Sequence, residues 1–212
     1  DNVNIFNNTA NSDGGGIFCN INSNPTINNS NINYNNSVKG GGIFIYEGEI
    51  TINNSLISNN TALTDGGGIS VNSNSSLILH TTVISNNVVT SNGGSGGGIQ
   101  CRLAEPGQAY EGGINLVLNY ITLSGNSANG IGSSGGAIEF SDRNIGMSLT
   151  NSTIINNSAY YGGAMYLRDL NNNPQMIIGT PGRVLDMIQK RFLFTNHIST
   201  LIFDEADETL SY

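Results

Sequence analysis

The sequence predicts an all-β fold, a right-handed parallel β-helix of about six coils, followed by a short α/β piece. The first observation is a glycine block that returns six times and ends at Ile17, Ile43, Ile69, Ile99, Ile138 and Met165, so the intervals are 26, 26, 30, 39 and 27 residues. The second is an apolar alternation after each block, and the third is a recurrent asparagine about half a repeat away. Self-similarity at a period of about 20–50 residues is typical of stacked-repeat proteins. The handedness comes from the general architecture and is not defined by the spacing.

A short strand follows each glycine block. The first and third residues after the block are always apolar, whereas the middle one varies from Phe to Glu. Alternate side chains of a strand point to opposite faces, so we expect the outer two to point inward and the middle one to face out. The segments are Ile17-Phe18-Cys19, Ile43-Phe44-Ile45, Ile69-Ser70-Val71, Ile99-Gln100-Cys101, Ile138-Glu139-Phe140 and Met165-Tyr166-Leu167.

The second half of each repeat carries two more apolar columns, five residues apart. Their members are Ile27, Ile52, Leu79, Leu118 and Leu149 in the first column, and Ile32, Ile57, Ile84, Leu123 and Ile154 in the second. Asn and Gly separate the columns, and both residues accept the left-handed backbone angles that corners need. The pattern has no helical period, and it predicts three short strands in each coil.

An asparagine stands three residues after each member of the last column. Neighbouring coils of a parallel stack lie about 4.8 Å apart, within reach of a side-chain amide. We therefore predict a structural ladder in which each amide bonds to the asparagine of the next coil. Its members are Asn35, Asn60, Asn87, Asn126 and Asn157.

The composition changes abruptly near residue 173. Asn occurs 34 times in residues 1–173 and once afterwards, at Asn196. This change predicts a β-helix domain at 1–173 and an unrelated piece at 174–212. The formal net charge of −8 argues against a basic nucleic-acid footprint over the whole chain. The chain has no apolar run of about 18 residues, so we expect no transmembrane helix, and because it opens inside a repeat we expect a fragment.

The two cysteines occupy one inward column. Cys19 and Cys101 are three coils apart, about 14 Å at the strand spacing. That distance exceeds the roughly 7 Å between Cα atoms that a disulfide can span. We interpret both as small core residues.

Two features leave a catalytic or binding alternative open. Asp13 and Asp65 precede glycine blocks two coils apart, and paired acids on a β-helix could serve a polysaccharide lyase or hydrolase. An Asp-Gly turn is the simpler explanation, because Asp is a common turn residue and no third acid or basic residue is seen to join the pair in the sequence. The repeat also loosens between Ile99 and Ile138, with extra residues after Arg102 and a glycine-rich stretch at 130–136. Such insertions form binding loops or tolerated surface loops.

The glycine block followed by Ile, together with the apolar-x-x-Asn signature, resembles the repeats of the polymorphic outer-membrane proteins of chlamydiae. The resemblance covers residues 1–170, and the apolar residue before Asn is Ile or Leu where that family usually has Phe. The resemblance implies a secreted or surface-displayed β-helix with an adhesive or structural role, no cofactor, and a surface ligand or glycan as partner.

The last 39 residues follow a different pattern. Met176-Ile177-Ile178 reads as a buried strand, and residues 184–191 have helical spacing that ends in basic residues. A second apolar run at 198–203 ends in Asp204-Glu205-Ala206-Asp207. Strand, helix and strand with acids at the carboxyl end are typical of an α/β sheet that binds a ligand there.

At these residues, Thr180-Pro181-Gly182-Arg183 and Asp204-Glu205-Ala206-Asp207 resemble two signatures of the DEAD-box RNA helicases, especially the translation initiation factor branch. The resemblance implies that Thr180, Gly182 and Arg183 bind the RNA backbone. It implies that Asp204 holds the Mg²⁺ of bound ATP and that Glu205 orients or deprotonates the attacking water. Asp207 would couple the ATP site to the RNA site.

The 212 residues contain no Gly-x-Gly-Lys-Thr phosphate loop, and in the helicases that loop precedes the two signatures. We therefore interpret the chain as a non-catalytic, adhesin-like surface β-helix joined to an incomplete helicase segment, in a chimeric chain. The first alternative is an ATP-dependent RNA helicase that uses Mg-ATP and RNA and is cytoplasmic. The second is the lyase or hydrolase.

Overall fold

The computed structural model describes residues 1–103, 113–141 and 145–168. Every regular element in these ranges is a β-strand. The 22 strands are, in chain order, β1 (Asn4–Phe6), β2 (Ile17–Cys19), β3 (Thr26–Asn28), β4 (Asn31–Asn33), β5 (Asn36–Lys39), β6 (Ile43–Tyr46), β7 (Glu49–Asn53), β8 (Leu56–Ser58), β9 (Thr61–Asp65), β10 (Ile69–Asn72), β11 (Ser76–His80), β12 (Val83–Ser85), β13 (Val88–Val89), β14 (Ile99–Arg102), β15 (Ile114–Asn119), β16 (Thr122–Ser124), β17 (Ser127–Ala128), β18 (Ile138–Phe140), β19 (Ile145–Thr150), β20 (Thr153–Ile155), β21 (Ser158–Ala159) and β22 (Met165–Leu167).

These strands form four parallel sheets that run along a solenoid of about six coils. Sheet 1 contains β2-β6-β10-β14-β18-β22, and sheet 2 contains β3-β7-β11-β15-β19. Sheet 3 contains β1-β4-β8-β12-β16-β20, and sheet 4 contains β5-β9-β13-β17-β21. The predicted parallel β-helix is therefore confirmed for the described residues; the α/β piece predicted at 174–212 lies outside them.

The repeat columns become strand registers. Ile43 pairs with Ile17 and Ile69, and Ile99 pairs with Ile69 and Ile138, so each glycine block begins the same strand of successive coils. The other two apolar columns pair in the same way in sheets 2 and 3. Inward side chains of sheets 1, 2 and 3 form one continuous aliphatic core. Because a one-residue slip would turn this core outward, the apolar pattern fixes the register.

Each of the five coils from β3 to β22 has four strands, so the prediction of three was wrong. The fourth strand, in sheet 4, follows the ladder asparagine and is only two residues long in β13, β17 and β21. Its inward residues, Ala62, Val89 and Ala128, form a separate small cluster with Ala159. Two residues are too short to show an alternation in the sequence, which is why the pattern did not reveal this strand.

The middle residue after each glycine block lies on the outer face of sheet 1, as alternation requires, but its exposure varies. Phe18 is 49% exposed, whereas Ser70, Gln100 and Glu139 are at most 1% exposed. Phe18 and Phe44 stack with ring planes 3° apart and centroids separated by 5.3 Å. The middle residue therefore faces out of the coil as predicted, but in β6, β10, β14 and β18 it is also buried, and in the last three strands it is polar.

The corners of the coil require left-handed backbone angles. The corner between sheets 2 and 3 places one residue at positive φ in every coil, and four of the six are Asn. The exceptions are Thr81, at φ 49°, and Tyr120, at φ 53°. A β-branched residue at positive φ is a steric outlier, because its Cβ substituents crowd the backbone.

We expect Thr81→Asn to raise the free energy of unfolding by about 1 kcal/mol, because Asn accepts this conformation with less strain. Thermal unfolding followed by circular dichroism measures the change. Thr90→Asn is the control, since Thr90 lies at an exposed corner without positive φ. Equal changes in the two variants would refute the strain at Thr81.

Candidate functional site

The asparagine ladder runs through the whole described stack. The Nδ2 of each ladder residue donates to the Oδ1 of the next: Asn35 to Asn60 and Asn60 to Asn87 at 3.0 Å, then Asn126 to Asn157 at 2.9 Å. Asn8 begins the ladder by donating to Asn35 at 3.0 Å. Each Oδ1 also accepts the backbone N–H of the preceding ladder residue. The ladder amides therefore use their hydrogen-bonding groups within the stack of coils.

Asn87 shows how completely the ladder side chains are satisfied. Its Nδ2 donates to Asn126 Oδ1 and to the carbonyl of Ile57, both at 3.0 Å. Its Oδ1 accepts from the backbone N–H and the Nδ2 of Asn60, also at 3.0 Å. The residue is fully buried. A buried amide with all these bonds made stabilises the corner, whereas one left without them would cost free energy.

The two acids of the hydrolase hypothesis share a column, but a base lies between them. Asp13 pairs in register with Lys39, and Lys39 pairs with Asp65. Arg102 Nη2 lies 3.6 Å from Asp65 Oδ1. The sequence-based view that no basic residue joins the acids was therefore wrong. Acid, base and acid alternate along one strand register, and the second acid, Asp65, pairs with Arg102, whereas glycoside hydrolysis needs two carboxylates that flank one bond.

A polar column occupies the covered outer face of sheet 1. Ser70 Oγ donates to Gln100 Oε1 at 2.7 Å and accepts from Asn72 Nδ2 at 2.9 Å. Gln100 pairs in register with Glu139, and its Nε2 is buried with no hydrogen-bond partner among the residues that the structure describes. Arg102 extends the column through a 3.4 Å bond from Nε to Ser141 Oγ.

Both cysteines are buried free thiols in one inward column, as predicted. Cys19 pairs with Ile45, Ile45 with Val71, and Val71 with Cys101. Burial raises the pKa of the Cys19 thiol. Burial and then the nearby Glu139 carboxylate raise the pKa of the Cys101 thiol well above its ordinary value. Protonated, buried thiols of this kind are packing residues.

A step in the corner between sheets 4 and 1 forms a groove near the end of the described stack. Six residues, 129–134, connect β17 to Gly135, whereas two, Tyr160 and Tyr161, connect β21 to Gly162. The longer corner overhangs the shorter one. The groove has a volume of about 240 Å³, and the largest side chains that line it are Ile131 and Tyr160.

No group of three or more potential metal ligands occurs in the ranges 1–103, 113–141 and 145–168. The same ranges hold no helix with the length and apolar character that a membrane crossing demands. The residues predicted to act in ATP and RNA binding lie outside these ranges; they are Thr180, Gly182, Arg183, Asp204, Glu205 and Asp207.

Comparison with known proteins finds two family matches. The Chlamydia polymorphic membrane protein repeat matches residues 54–72, which span β8, β9, a glycine block and β10. The DEAD/DEAH box helicase family matches residues 143–212. Two family signatures therefore stand in one chain. The resemblances drawn from the glycine-asparagine repeat and from the Thr-Pro-Gly-Arg and Asp-Glu-Ala-Asp motifs are both confirmed.

The curated relatives are ATP-dependent RNA helicases that match a short part of the chain. The chain is 50% identical over 56 residues to the ATP-dependent RNA helicase CshA of Listeria monocytogenes, covering 25% of this chain and 11% of the relative. It is 53% identical over 45 residues to the ATP-dependent RNA helicases eIF4A of Phaeosphaeria nodorum and Neurospora crassa, covering 21% of this chain and 11% of each relative. The chain thus spans about a tenth of the length of these relatives. No solved structure matches the chain.

The helicase match and the solenoid overlap. The match begins at residue 143, yet β19 to β22 pair in register with β15 to β18 of the preceding coil. For example, Ile154 pairs with Leu123 and Met165 with Ile138. The backbone of residues 145–167 therefore follows the repeat.

Two functional features escaped the sequence analysis. Lys39 stands immediately before a glycine block, as Asp13 and Asp65 do, so aligning the blocks would have found it. The groove follows from the unequal numbers of residues between β17 or β21 and the next glycine block, which the sequence also contains. The burial of Gln100 has no sequence signal, since exposed strand positions accept Gln equally well.

Proposed function

We propose that the chain acts as a non-catalytic, adhesin-like β-helix that presents surface corners to a ligand outside the cell. The asparagine ladder carries this proposal, because it satisfies the corner between sheets 3 and 4 internally, from Asn8 to Asn157. Together with the aliphatic core, it makes the described solenoid a scaffold whose other corners differ in length and sequence from coil to coil. The match to a polymorphic membrane protein repeat supports a surface location.

The charges near the glycine blocks fit a scaffold better than a catalytic centre. Asp65 is 6% exposed as a residue and lies against Arg102. Asp13 and Asp65 are separated by Lys39 in the register. An acid pair for polysaccharide cleavage would need to be free for substrate on one face. The lyase or hydrolase hypothesis accordingly has no observation in its favour.

Adhesion tests this proposal directly. Beads coated with the full 212-residue chain should bind to animal cells, whereas beads coated with the thermally unfolded chain should not. We expect binding to depend on the folded solenoid and to be indifferent to ATP. Equal binding by folded and unfolded chain, or no binding to a panel of cell types, would refute an adhesive role.

A helicase function is the second candidate, favoured by the match over residues 143–212. By resemblance, Asp204 and Glu205 would serve Mg²⁺-bound ATP, and Thr180, Gly182 and Arg183 would bind RNA. The 212 residues lack the Lys-containing phosphate loop that clamps the β- and γ-phosphates. The helicase proposal includes two further expectations: a domain boundary between residues 173 and 174, and a cytoplasmic location.

We expect isothermal titration calorimetry of the full chain with Mg-ATP to detect no binding that depends on Asp204. The Asp204→Asn variant should therefore give the same result as the unaltered chain. A missing phosphate clamp leaves a lone acidic pair with little affinity for the nucleotide. Asp207→Asn is a second variant in the same motif, and Asp13→Asn is a control outside it. Micromolar binding that Asp204→Asn abolishes and Asp13→Asn preserves would place the helicase function first.

A further inference from the structure

The groove at the stepped corner differs from the rest of the solenoid surface. The equivalent corner of coil 4, residues 90–95, is as long as that of coil 5, and the two are bonded: Gly93 N–H donates to the Ile131 carbonyl at 2.9 Å, and Ile131 N–H donates to Asn92 Oδ1 at 3.0 Å. The next corner is short, and Tyr161 N–H donates to the Ser133 carbonyl at 2.9 Å. The overhang is thus held by backbone bonds on both sides.

The sides of the groove are two large exposed side chains. Ile131 is 74% exposed and Tyr160 is 61% exposed. Tyr160 is braced from behind by Tyr161, whose ring centroid lies 4.7 Å away in an edge-to-face arrangement. A braced, exposed tyrosine offers a flat apolar face at little entropic cost and a hydroxyl at its tip.

The lining is neutral and has spare hydrogen-bonding groups. Three small residues also line the groove: Ala128, Gly130 and Ala159. Asn129 and Ser158 border it and are exposed, and their side chains make no hydrogen bond within the described part of the chain. An amide supplies two donors and an acceptor, and a hydroxyl supplies one donor and two acceptor positions.

We propose that this groove binds a neutral sugar unit of a surface glycan, with one C–H face of the ring on Tyr160 and its hydroxyls bonded to Asn129 and Ser158. A sugar ring combines an apolar face with several hydroxyls, which matches one aromatic wall beside an amide and a hydroxyl. The volume of about 240 Å³ suits a unit smaller than a drug-sized ligand. This proposal rests on the adhesive function and names its ligand class.

Charge selects among glycans. The lining contains no cationic side chain, and the chain carries a formal net charge of −8. An anionic sugar would lose hydration in the groove without gaining a counter-charge. We therefore expect the site to prefer a neutral oligosaccharide to the same oligosaccharide capped with sialic acid.

The experiment titrates the full chain with neutral oligosaccharides, including lactose, cellotetraose and maltotetraose, and with 3′-sialyllactose as the anionic counterpart of lactose. Binding is followed by calorimetry and by saturation-transfer NMR. We expect at least one neutral sugar to bind at millimolar strength or better. Tyr160→Ala should weaken it about tenfold or more, the equivalent of about 1.4 kcal/mol, and Tyr160→Phe should retain it.

Tyr120→Ala is the matched control, because Tyr120 has the same 61% exposure but lies at the corner between sheets 2 and 3. Circular dichroism checks that each variant folds. The proposal is overturned if no neutral sugar binds, if Tyr160→Ala and Tyr120→Ala have equal effects, or if the sialylated sugar binds more tightly than lactose. Cell adhesion that persists in Tyr160→Ala would refute this sugar site and leave the adhesive function standing. Sugar binding by a chain that does not adhere to cells would support the sugar site and refute the adhesive function.

Discussion

Replacing Asn87 by alanine should lower the free energy of unfolding by about 3–5 kcal/mol, the largest effect we expect from one side chain. The substitution removes two donated bonds, to Asn126 Oδ1 and the Ile57 carbonyl, and two accepted from Asn60. It leaves the buried backbone N–H of Asn60 and the carbonyl of Ile57 without these partners. Each buried unsatisfied group costs about 1–3 kcal/mol.

Urea unfolding followed by circular dichroism measures the loss. Asn8→Ala is the matched control at the first position of the ladder. Asn8 is exposed, and its side chain makes one ladder bond, from Nδ2 to Asn35 Oδ1, while its own Oδ1 accepts no bond from the described residues. We expect it to lose about 1 kcal/mol. Similar losses at positions 87 and 8 would show that the ladder is not the source of corner stability.

A second large effect is expected within a single glycine block. A Cβ at Gly67 would collide with the carbonyl oxygen of Gly97 and would lie 2.7 Å from the backbone nitrogen of Val88. Neither backbone can move without disturbing the pairing of sheets 1 and 4. We expect Gly67→Ala to cost about 3 kcal/mol or more, as overpacking against fixed backbone does.

Gly68→Ala is the control one residue away. A Cβ there would lie 2.7 Å from the Gly98 carbonyl oxygen and 3.1 Å from Asn87 Nδ2. The same position is Ala137 in the fifth coil and Ala164 in the sixth, so the stack accommodates a methyl group there. Thermal unfolding should show a cost of about 1 kcal/mol. A larger loss for Gly68→Ala than for Gly67→Ala would contradict this reading of the block.

The repeat columns made most of the solenoid predictable. Ile17, Ile43 and Ile69 could be aligned by their glycine blocks, and this alignment is the register of sheet 1. The ladder asparagines could be recognised because an amide at a fixed corner has one suitable partner, the same residue of the next coil. Stacked repeats allow the register and the ladder to be predicted because equivalent residues of every coil pack in the same way.

What escaped prediction depends on short or irregular segments. The two-residue strand Val88–Val89 shows no alternation. Thr81 and Tyr120 adopt the left-handed conformation although their residue types disfavour it, because the flanking strands fix the corner. The burial of Ser70, Gln100 and Glu139 is a tertiary property that a three-residue alternation cannot report. The predicted ATP and RNA residues rest on motif resemblance alone.

The asparagine ladder also gives the solenoid an electrical polarity. From Asn35 to Asn126, each Oδ1 accepts from the Nδ2 of the preceding coil and each Nδ2 donates to the Oδ1 of the following one, so the amide dipoles share a direction. Hydrogen-bonded chains of this kind polarise one another and gain strength with length. The first coil is therefore the negative pole and the last described coil the positive pole of an axial dipole. A cation is accordingly favoured near the first coil and an anion near the last.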